Sequence, residues 1–326
     1  MTTLDKITKT QFRSAPLLTA SLLAFAAASV AGAPRVHADP SSTGGPAAAA
    51  AATARADIQK TLGFVPQFFL KFPELALPGA WDEMKSLQLN PATTLPGRTK
   101  ELVGLAVSAQ IPCRYCIYAH TAFARLNGAS EEEIGEAVAM AGLTRHWSTY
   151  LNGIQTDESK FRAEIAKIVA NVKQAAATHA PAPRPVAVVD GQSALQEIMQ
   201  TLGFVPDFLR KFPDAARAGA WRQFRDVQLN PTSALSGKNK ELMGLSVASQ
   251  VPCRFCIIAH TEFAKLNGAT DAEINEAVAM ASLTRDLSTL LNGMQIDEPQ
   301  FRKDIDHIVK GATAAATSKR APTAAR

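Results

Sequence analysis

Apolar positions along this chain follow the period of an α-helix. They recur three or four residues apart, as at Leu102, Leu105 and Ala109 and again at Ile134, Val138 and Ala141. Side chains at this spacing share one helix face, and no segment alternates with the period of two that is typical of strands. The pattern therefore predicts an all-α protein.

Helix boundary signals support this prediction. Asn127-Gly128 supplies a left-handed helix stop, and Ser130 with Glu133 forms a capping box for the following helix. Thr270 and Glu273 repeat that box. The recurrence of a complete stop and start signal indicates that one helical unit occurs twice.

The duplication has a constant offset of 140 residues. The segment Thr61-Leu62-Gly63-Phe64-Val65-Pro66 recurs at 201–206, Trp81 recurs as Trp221, and the register holds without a gap to Phe301. Such a register over about a hundred residues indicates duplication of a whole domain rather than a solenoid of short units.

This repeat, together with the composition between its copies, divides the chain into six segments. Stretches rich in Ala, Pro and Ser are typical of spacers and linkers. We predict a signal peptide at 1–38, a flexible spacer at 39–54, a first helical domain at 55–174, an Ala/Pro linker at 175–189, a second helical domain at 190–312 and a disordered tail at 313–326.

The amino terminus has the features of an export signal. Three basic residues precede the apolar stretch Ala15–Ala33, and Val36-His37-Ala38 offers a cleavage site, with Ala31 as the alternative. An uncleaved membrane anchor is the competing interpretation, but Ala, Ser and Thr dilute this segment. We expect an exported protein, periplasmic or secreted, with no membrane segment in its mature form.

Composition and charge exclude several classes of partner. A chain of 326 residues with 47% hydrophobic content can bury one or two cores. Its formal charge is +5, and removing residues 1–38, which hold four basic residues and one Asp, leaves +2. Without a basic cluster, neither nucleic acid nor an anionic membrane is an expected partner.

The candidate chemistry lies immediately after a proline that separates two predicted helices. Cys113-Arg114-Tyr115-Cys116 follows Pro112, and His120 comes four residues later; Cys253, Cys256 and His260 are the corresponding residues of the second copy. Spacings of three and four place these side chains on one helix face, near the ~5.5 Å Cα separation that disulfides prefer. A reversible local disulfide is therefore expected.

Spacing alone does not identify the nucleophile. Cys113 lies closest to the helix start, whereas Cys116 lies one turn before His120, and either influence can lower a thiol pKa from about 8.5. Glu101 precedes the first cysteine by twelve residues, and Glu241 holds the same position in the second copy. A carboxylate on the preceding helix can orient the imidazole or accept its proton.

This pattern of Glu, eleven residues, Cys-x-x-Cys, three residues and His resembles the alkylhydroperoxidase D-like branch of the carboxymuconolactone decarboxylase superfamily. The resemblance covers roughly residues 55–172 and 195–312. It implies two tandem helical domains of that type packed as a pseudo-dimer, because family members self-associate. One departure is that this chain has Arg-Tyr and Arg-Phe between its cysteines, where well-studied members carry a His.

The resemblance also implies the residue roles. Cys116 and Cys256 would be peroxidatic, Cys113 and Cys253 would resolve the sulfenic acid as a disulfide, and Glu101, His120, Glu241 and His260 would form the proton relays. The implied activity is a thiol peroxidase that reduces small organic hydroperoxides. It needs no cofactor or metal but requires an external dithiol reductant, whose identity the sequence does not reveal.

Other interpretations of the motif remain open at this stage. The cysteines could form a permanent structural disulfide, although closing a two-residue loop adds little stability. Cys, Cys, His and Glu could also bind zinc, but this is not the spacing of a zinc finger or ribbon. A dithiol/disulfide exchange protein, a muconolactone-type decarboxylase and a non-catalytic scaffold are the alternative functions. Homo-oligomers of pseudo-dimers are a further expectation.

Few other residues satisfy the test of recurring in both copies. Among the histidines only His120 and His260 correspond. The recurring aromatic residues are expected in the core or an interface rather than against a ligand; they are Trp81, Trp221, Phe64 and Phe204. Arg145 and Arg285 also correspond and are candidates for binding an acidic substrate, although a packing or helix-end role is the stronger expectation.

Overall fold

The computed structural model describes residues 45–179 and 186–320, within which every regular element is a helix. The predicted signal peptide lies outside these residues. The first half contains α1 Pro46–Leu62, α2 Gln67–Leu70, α3 Leu77–Glu83, α4 Gly97–Gln110, α5 Arg114–Leu126, α6 Glu131–Gly153 and α7 Glu158–Ala177. The second contains α8 Gly191–Leu202, α9 Asp207–Lys211, α10 Asp214–Gln223, α11 Gly237–Gln250, α12 Arg254–Leu266, α13 Asp271–Gly293 and α14 Glu298–Arg320.

The repeat is reproduced at the level of individual helices. The helices α4 to α7 begin 140 residues before α11 to α14, and a short π-helical turn precedes α4 and α11, at Met84–Gln88 and Phe224–Leu229. The capping boxes form as predicted, and Gly128 and Gly268 adopt the left-handed conformation after α5 and α12. The all-α prediction is confirmed.

The two halves exchange their last helices. The helix α14 packs against α5 of the first half, and α7 packs against α12 of the second half, while α4, α6, α11 and α13 meet at the centre. The chain is therefore a pseudo-dimer, as predicted, but its halves are interlocked rather than arranged one after the other.

Each outer core consequently contains side chains from both halves. The core around Trp81 and Phe69 is completed by apolar residues from α13, α14 and the loop between them, namely Leu291, Ile296, Phe301 and Ile305. The core around Trp221 is completed in the same way from α6 and α7, including Trp147, Phe161 and Ile165. Burial of these side chains stabilises both the fold and the association of the halves.

The structure corrects three of the predicted segment boundaries. The spacer at 39–54 is helical from Pro46 onward and buries Ala51, the linker at 175–189 begins within α7, and the tail at 313–326 is helical as far as Arg320. Alanine-rich composition indicated flexible segments, yet Ala is also the strongest helix former, and a preceding helix extends readily through it. No helix in the described part of the chain is long and apolar enough to cross a membrane.

Candidate active site

The two sulfur pairs lie at the amino-terminal ends of α5 and α12. Cys113 is the N-cap of α5, and its Sγ accepts a hydrogen bond from the Cys116 backbone N–H at 3.2 Å. The pair is disulfide-bonded with a Cα–Cα separation of 5.3 Å, and Cys253 and Cys256 repeat the bond and the separation. All four cysteines are at most 5% exposed, so large molecules cannot contact the sulfurs directly.

A buried carboxylate and imidazole accompany each sulfur pair. Oε2 of Glu101, on α4, lies 2.7 Å from Nδ1 of His120, on α5, and Glu241 and His260 form the same contact at 2.6 Å. All four residues are at most 5% exposed. The structure thus brings together the eight residues singled out in the sequence, as two sets of four.

A glutamine fixes the carboxylate from its other side. Nε2 of Gln88, in the π-helical turn before α4, donates to Glu101 at 3.0 Å, and Gln228 donates to Glu241 at 2.9 Å. Because an amide donor stabilises the ionised carboxylate and restricts its rotation, Glu101 is held in an orientation that points Oε2 at His120.

A glycine in the preceding helix makes room for the imidazole. A Cβ at Gly104 would overlap the His120 ring, and a Cβ at Gly244 would overlap the His260 ring. Glycine in a helix interior costs about 1 kcal/mol relative to alanine. The close approach of the ring to the α4 backbone explains why the helix nevertheless contains this residue.

Each site is completed by two polar side chains from the other half. Oγ1 of Thr284 lies 3.4 Å from Nε2 of His120, and Nδ2 of Asn292 donates to Sγ of Cys113 at 3.6 Å. Thr144 approaches His260 at 3.3 Å and Asn152 contacts Cys253 at 3.6 Å in the same manner. Because these side chains lie on α6 and α13, which pack against the opposite half, both sites are assembled from the whole chain.

The threonine hydroxyl can accommodate either charge state of the imidazole. Thr284 Oγ1 donates to the Met280 carbonyl at 2.8 Å, which leaves its lone pairs free to accept Nε2–H of a doubly protonated His120. If the hydroxyl instead rotates toward Nε2, it donates to the neutral ring. A side chain with both options allows a proton to enter and leave His120 without loss of its hydrogen bond.

A buried lysine connects the first site with the second half. Nζ of Lys100 donates to the carbonyls of Leu87 and Asn90 and lies 3.6 Å from Glu276. Burial lowers the pKa of Lys100, and the carboxylate partly offsets this. These bonds fix the turn that carries Gln88.

The second cysteine of each pair faces a cavity and the first does not. Cys256, His260 and Glu241 line a largely apolar cavity of about 780 Å³. In the other site, Cys116 and His120 line a cavity of about 40 Å³, and Glu101 lines an adjacent one of about 300 Å³. Neither Cys113 nor Cys253 lines these cavities, so a small molecule entering them meets Cys116 or Cys256 first.

The remaining candidates lie elsewhere. Trp81 and Trp221 are fully buried in the two cores, and Phe64 and Phe204 contact His307 and Lys167 across the halves, in agreement with the core or interface expectation. Arg145 and Arg285 are exposed and line neither sulfur-containing cavity. Within the described residues, no group of three or more His, Cys, Asp or Glu side chains could hold a metal ion.

Sequence reasoning overlooked four residues of each site. They are Gln88, Gly104, Thr284 and Asn292 at the first site and Gln228, Gly244, Thr144 and Asn152 at the second. Each residue is identical to its counterpart 140 positions away, and each is polar or glycine within a helical pattern. A polar residue or a glycine that recurs at the same place in both copies of a helical pattern could have indicated these positions. A mid-helix glycine, for example, indicates close packing.

Comparison with known proteins identifies the relatives of the chain. No curated protein matches the sequence. A solved structure of a putative gamma-carboxymuconolactone decarboxylase subunit from Burkholderia xenovorans matches with 18% identity and a TM-score of 0.45, covering 83% of this chain and 98% of that one. The sequence model of the Carboxymuconolactone decarboxylase family matches residues 76–155 and 215–298, about half of the chain, and both segments contain a complete Glu, Cys, Cys and His set. The chain therefore belongs to the carboxymuconolactone decarboxylase family and carries two copies of its domain.

Proposed function

We propose that this protein is an exported thiol-dependent peroxidase that reduces small organic hydroperoxides. The observation that supports the proposal most strongly is the presence, in both halves, of a cavity-lining cysteine that is bonded to a second cysteine and accompanied by a buried Glu–His pair. The reducing agent is an external dithiol, and no cofactor is required.

The reaction begins from the reduced pair. His120 accepts the thiol proton of Cys116, and the resulting thiolate attacks the O–O bond of the hydroperoxide. A sulfur–oxygen bond forms, the O–O bond breaks, and the departing alkoxide takes the proton from His120 to leave as the alcohol. Glu101, held by Gln88, stabilises the imidazolium while it carries this proton.

The second step uses Cys113. The Cys113 thiol loses its proton and its sulfur attacks the sulfenic sulfur of Cys116. The S–O bond breaks as the disulfide forms, and the departing hydroxide gains the proton that the thiol lost and leaves as water. The Asn292 amide and the Cys116 backbone N–H both donate to Cys113 Sγ and stabilise the thiolate. Two electrons have then passed from the two thiols to the hydroperoxide, and an external dithiol returns them by thiol–disulfide exchange.

A dithiol/disulfide exchange protein is the second candidate, because both pairs are disulfide-bonded. Such a protein would oxidise thiol groups of other proteins without peroxide. The low exposure of all four cysteines favours reaction with small molecules, both the oxidant and the reducing dithiol, over reaction with the thiols of other proteins. Decarboxylation receives less support, because it gives the two sulfurs no role.

The test is consumption of cumene hydroperoxide by the mature chain in the presence of dithiothreitol. We expect turnover by the unaltered protein, loss of most of it in Cys256→Ser, because the 40 Å³ cavity beside Cys116 has no room for this substrate, and none in the double variant Cys116→Ser with Cys256→Ser. Arg145→Ala with Arg285→Ala provides a matched control at two exposed positions that correspond in the repeat. Equal turnover by the double cysteine variant would overturn the proposal.

A thiol count complements the kinetic assay. We expect the fully reduced protein to lose two thiols per half on treatment with stoichiometric peroxide, with mass spectrometry assigning a Cys113–Cys116 and a Cys253–Cys256 disulfide. If oxidation of reduced protein substrates proceeded at the same rate without peroxide, the exchange function would replace the peroxidase.

A further inference from the structure

The two sites differ in the space that they offer. The second site opens to one continuous cavity of about 780 Å³, within the roughly 300–1,000 Å³ range of pockets that enclose small organic ligands. At the first site, Phe68, Met84 and Phe123 line both a 40 Å³ and a 300 Å³ cavity, and only the smaller one reaches Cys116. A bulky molecule can therefore approach Cys256 but not Cys116.

The larger cavity is lined mainly by apolar side chains. They include Trp147, Leu151, Phe161, Phe208 and Phe224. Such a lining favours a ligand with a long apolar part.

The outer part of the same cavity combines an apolar helix face with a cation. Ile165, Ile168 and Val172 of α7 line the cavity together with Lys173. Lys173 is exposed and forms no ion pair with any described residue, whereas the other lining lysine, Lys265, is paired with Asp271. An apolar chain along α7 would place an anionic end group at Lys173.

We propose that the second site binds amphipathic monocarboxylates and that its substrate is the hydroperoxide of a fatty acid. The acyl chain contacts the apolar face of α7, and the carboxylate pairs with Lys173. The first site accepts only small hydroperoxides. The proposed binding of monocarboxylates does not depend on the proposed peroxidase function, whereas the identity of the substrate rests on it.

Binding is tested with decanoate and the disulfide form of the full chain, by isothermal titration calorimetry. We expect one decanoate per chain rather than two. The rim variant Val172→Trp should abolish binding, while Ala312→Trp, at the corresponding position of α14, should leave it unchanged. Two molecules per chain, or equal effects of the two variants, would overturn the assignment to the second site.

The contact with the carboxylate is tested with a further substitution. Lys173→Gln should weaken decanoate binding about two- to fivefold, as expected for an exposed ion pair, and leave decanol binding unaltered. An unchanged decanoate affinity in this variant would contradict the proposed orientation.

Turnover of linoleic acid hydroperoxide separates this inference from the proposed function. We expect Cys256→Ser to abolish its reduction and Cys116→Ser to preserve it, whereas hydrogen peroxide should be reduced by either variant. Binding of decanoate without turnover of any hydroperoxide would overturn the peroxidase function but not the binding site. Turnover of cumene hydroperoxide without decanoate binding would overturn only the present inference.

Discussion

Residues 45–179, expressed alone, should not fold as a monomer. The isolated first half retains α1 to α7 but lacks α13 and α14, which cover its outer core in the intact chain. Removing these helices exposes the apolar surface around Trp81 and Phe69 to water. The exposed surface should either unfold the segment or recruit a replacement helix from a second copy.

The lost burial is comparable to the whole stability of a domain. Leu291, Ile296, Phe301 and Ile305 are each at most 8% exposed. At about 1.5–3 kcal/mol for each large buried apolar side chain, they contribute about 6–12 kcal/mol to the first core. Domains are stable by about 5–15 kcal/mol in total, so a monomer without these side chains has little or no stability left.

A second copy can supply the missing surface. The helix α7 presents Phe161 and Ile165 at the positions that Phe301 and Ile305 hold in α14. The segment should therefore form a symmetric homodimer, which analytical ultracentrifugation and concentration-dependent thermal unfolding would detect. A segment shortened to residues 45–156 should neither dimerise nor fold. Cleavage of the full chain within 180–185 should leave the halves associated.

A monomeric segment that unfolds cooperatively, with a midpoint independent of protein concentration, would contradict the expectation that residues 45–179 do not fold alone. That result would mean that the first core is stable without side chains from the second half. The exchange of helices would then be a packing arrangement of little energetic importance.

Three further predictions concern individual residues. Gly104→Ala should displace His120 and reduce peroxide turnover at the first site by at least tenfold without unfolding the helix, whereas Gly135→Ala, which has open space around it, should not affect turnover. Tyr115→Phe should lower the free energy of unfolding by about 1 kcal/mol without loss of turnover, because the hydroxyl donates to the Ile296 carbonyl at 2.6 Å. Glu276→Gln should destabilise the protein at neutral pH by about 1–3 kcal/mol, measured by urea unfolding.

The effect of Glu276 should depend on pH in a defined direction. Burial alone would raise its pKa, but hydrogen bonds from Thr93, Leu95 and Thr94 and the charge of Lys100 bring the pKa below its ordinary value. A carboxyl with a depressed folded-state pKa stabilises the protein above its unfolded pKa, near 4.5, and loses this contribution as pH falls through the folded value. The difference in the free energy of unfolding between Glu276→Gln and the unaltered chain should therefore decrease as the pH falls.

Each of these results has a clear contrary outcome. Normal turnover of Gly104→Ala would show that the ring position is not critical. A stability of Tyr115→Phe equal to that of the unaltered protein would mean that its hydrogen bond contributes no net energy. A stability difference for Glu276→Gln that did not begin to decrease as the pH fell below 4.5 would exclude ionisation of this carboxyl as its source.

Local features of the structure could be predicted from the sequence, because they depend on neighbouring residues. The capping box at Ser130 and the break at Pro112 follow from backbone hydrogen bonding within a few positions. The proximity of Cys113, Cys116 and His120 follows from helical spacing. The contact between Glu101 and His120 is expected from a carboxylate on the preceding helix, an expectation that the family resemblance supports, and the two side chains lie within hydrogen-bond distance.

The exchange of helices could not be predicted in this way. Periodicity shows that α7 and α14 each have one apolar face, but both faces carry Phe and Ile at the same positions and would fit either core. The pattern of each helix therefore does not show which of the two cores it covers. The residues that act across the halves, such as Thr284 and Asn292, were missed for the same reason.

The reciprocal supply of Thr and Asn has an evolutionary consequence. In a chain with two independent domains, one copy could lose its cysteines and then drift freely. Here a copy that had lost its own cysteines would still provide the groups that contact the imidazole and the first cysteine of the other copy. Selection on either site therefore acts on both gene segments, which explains how the two sets of supporting residues can have stayed identical after the duplication.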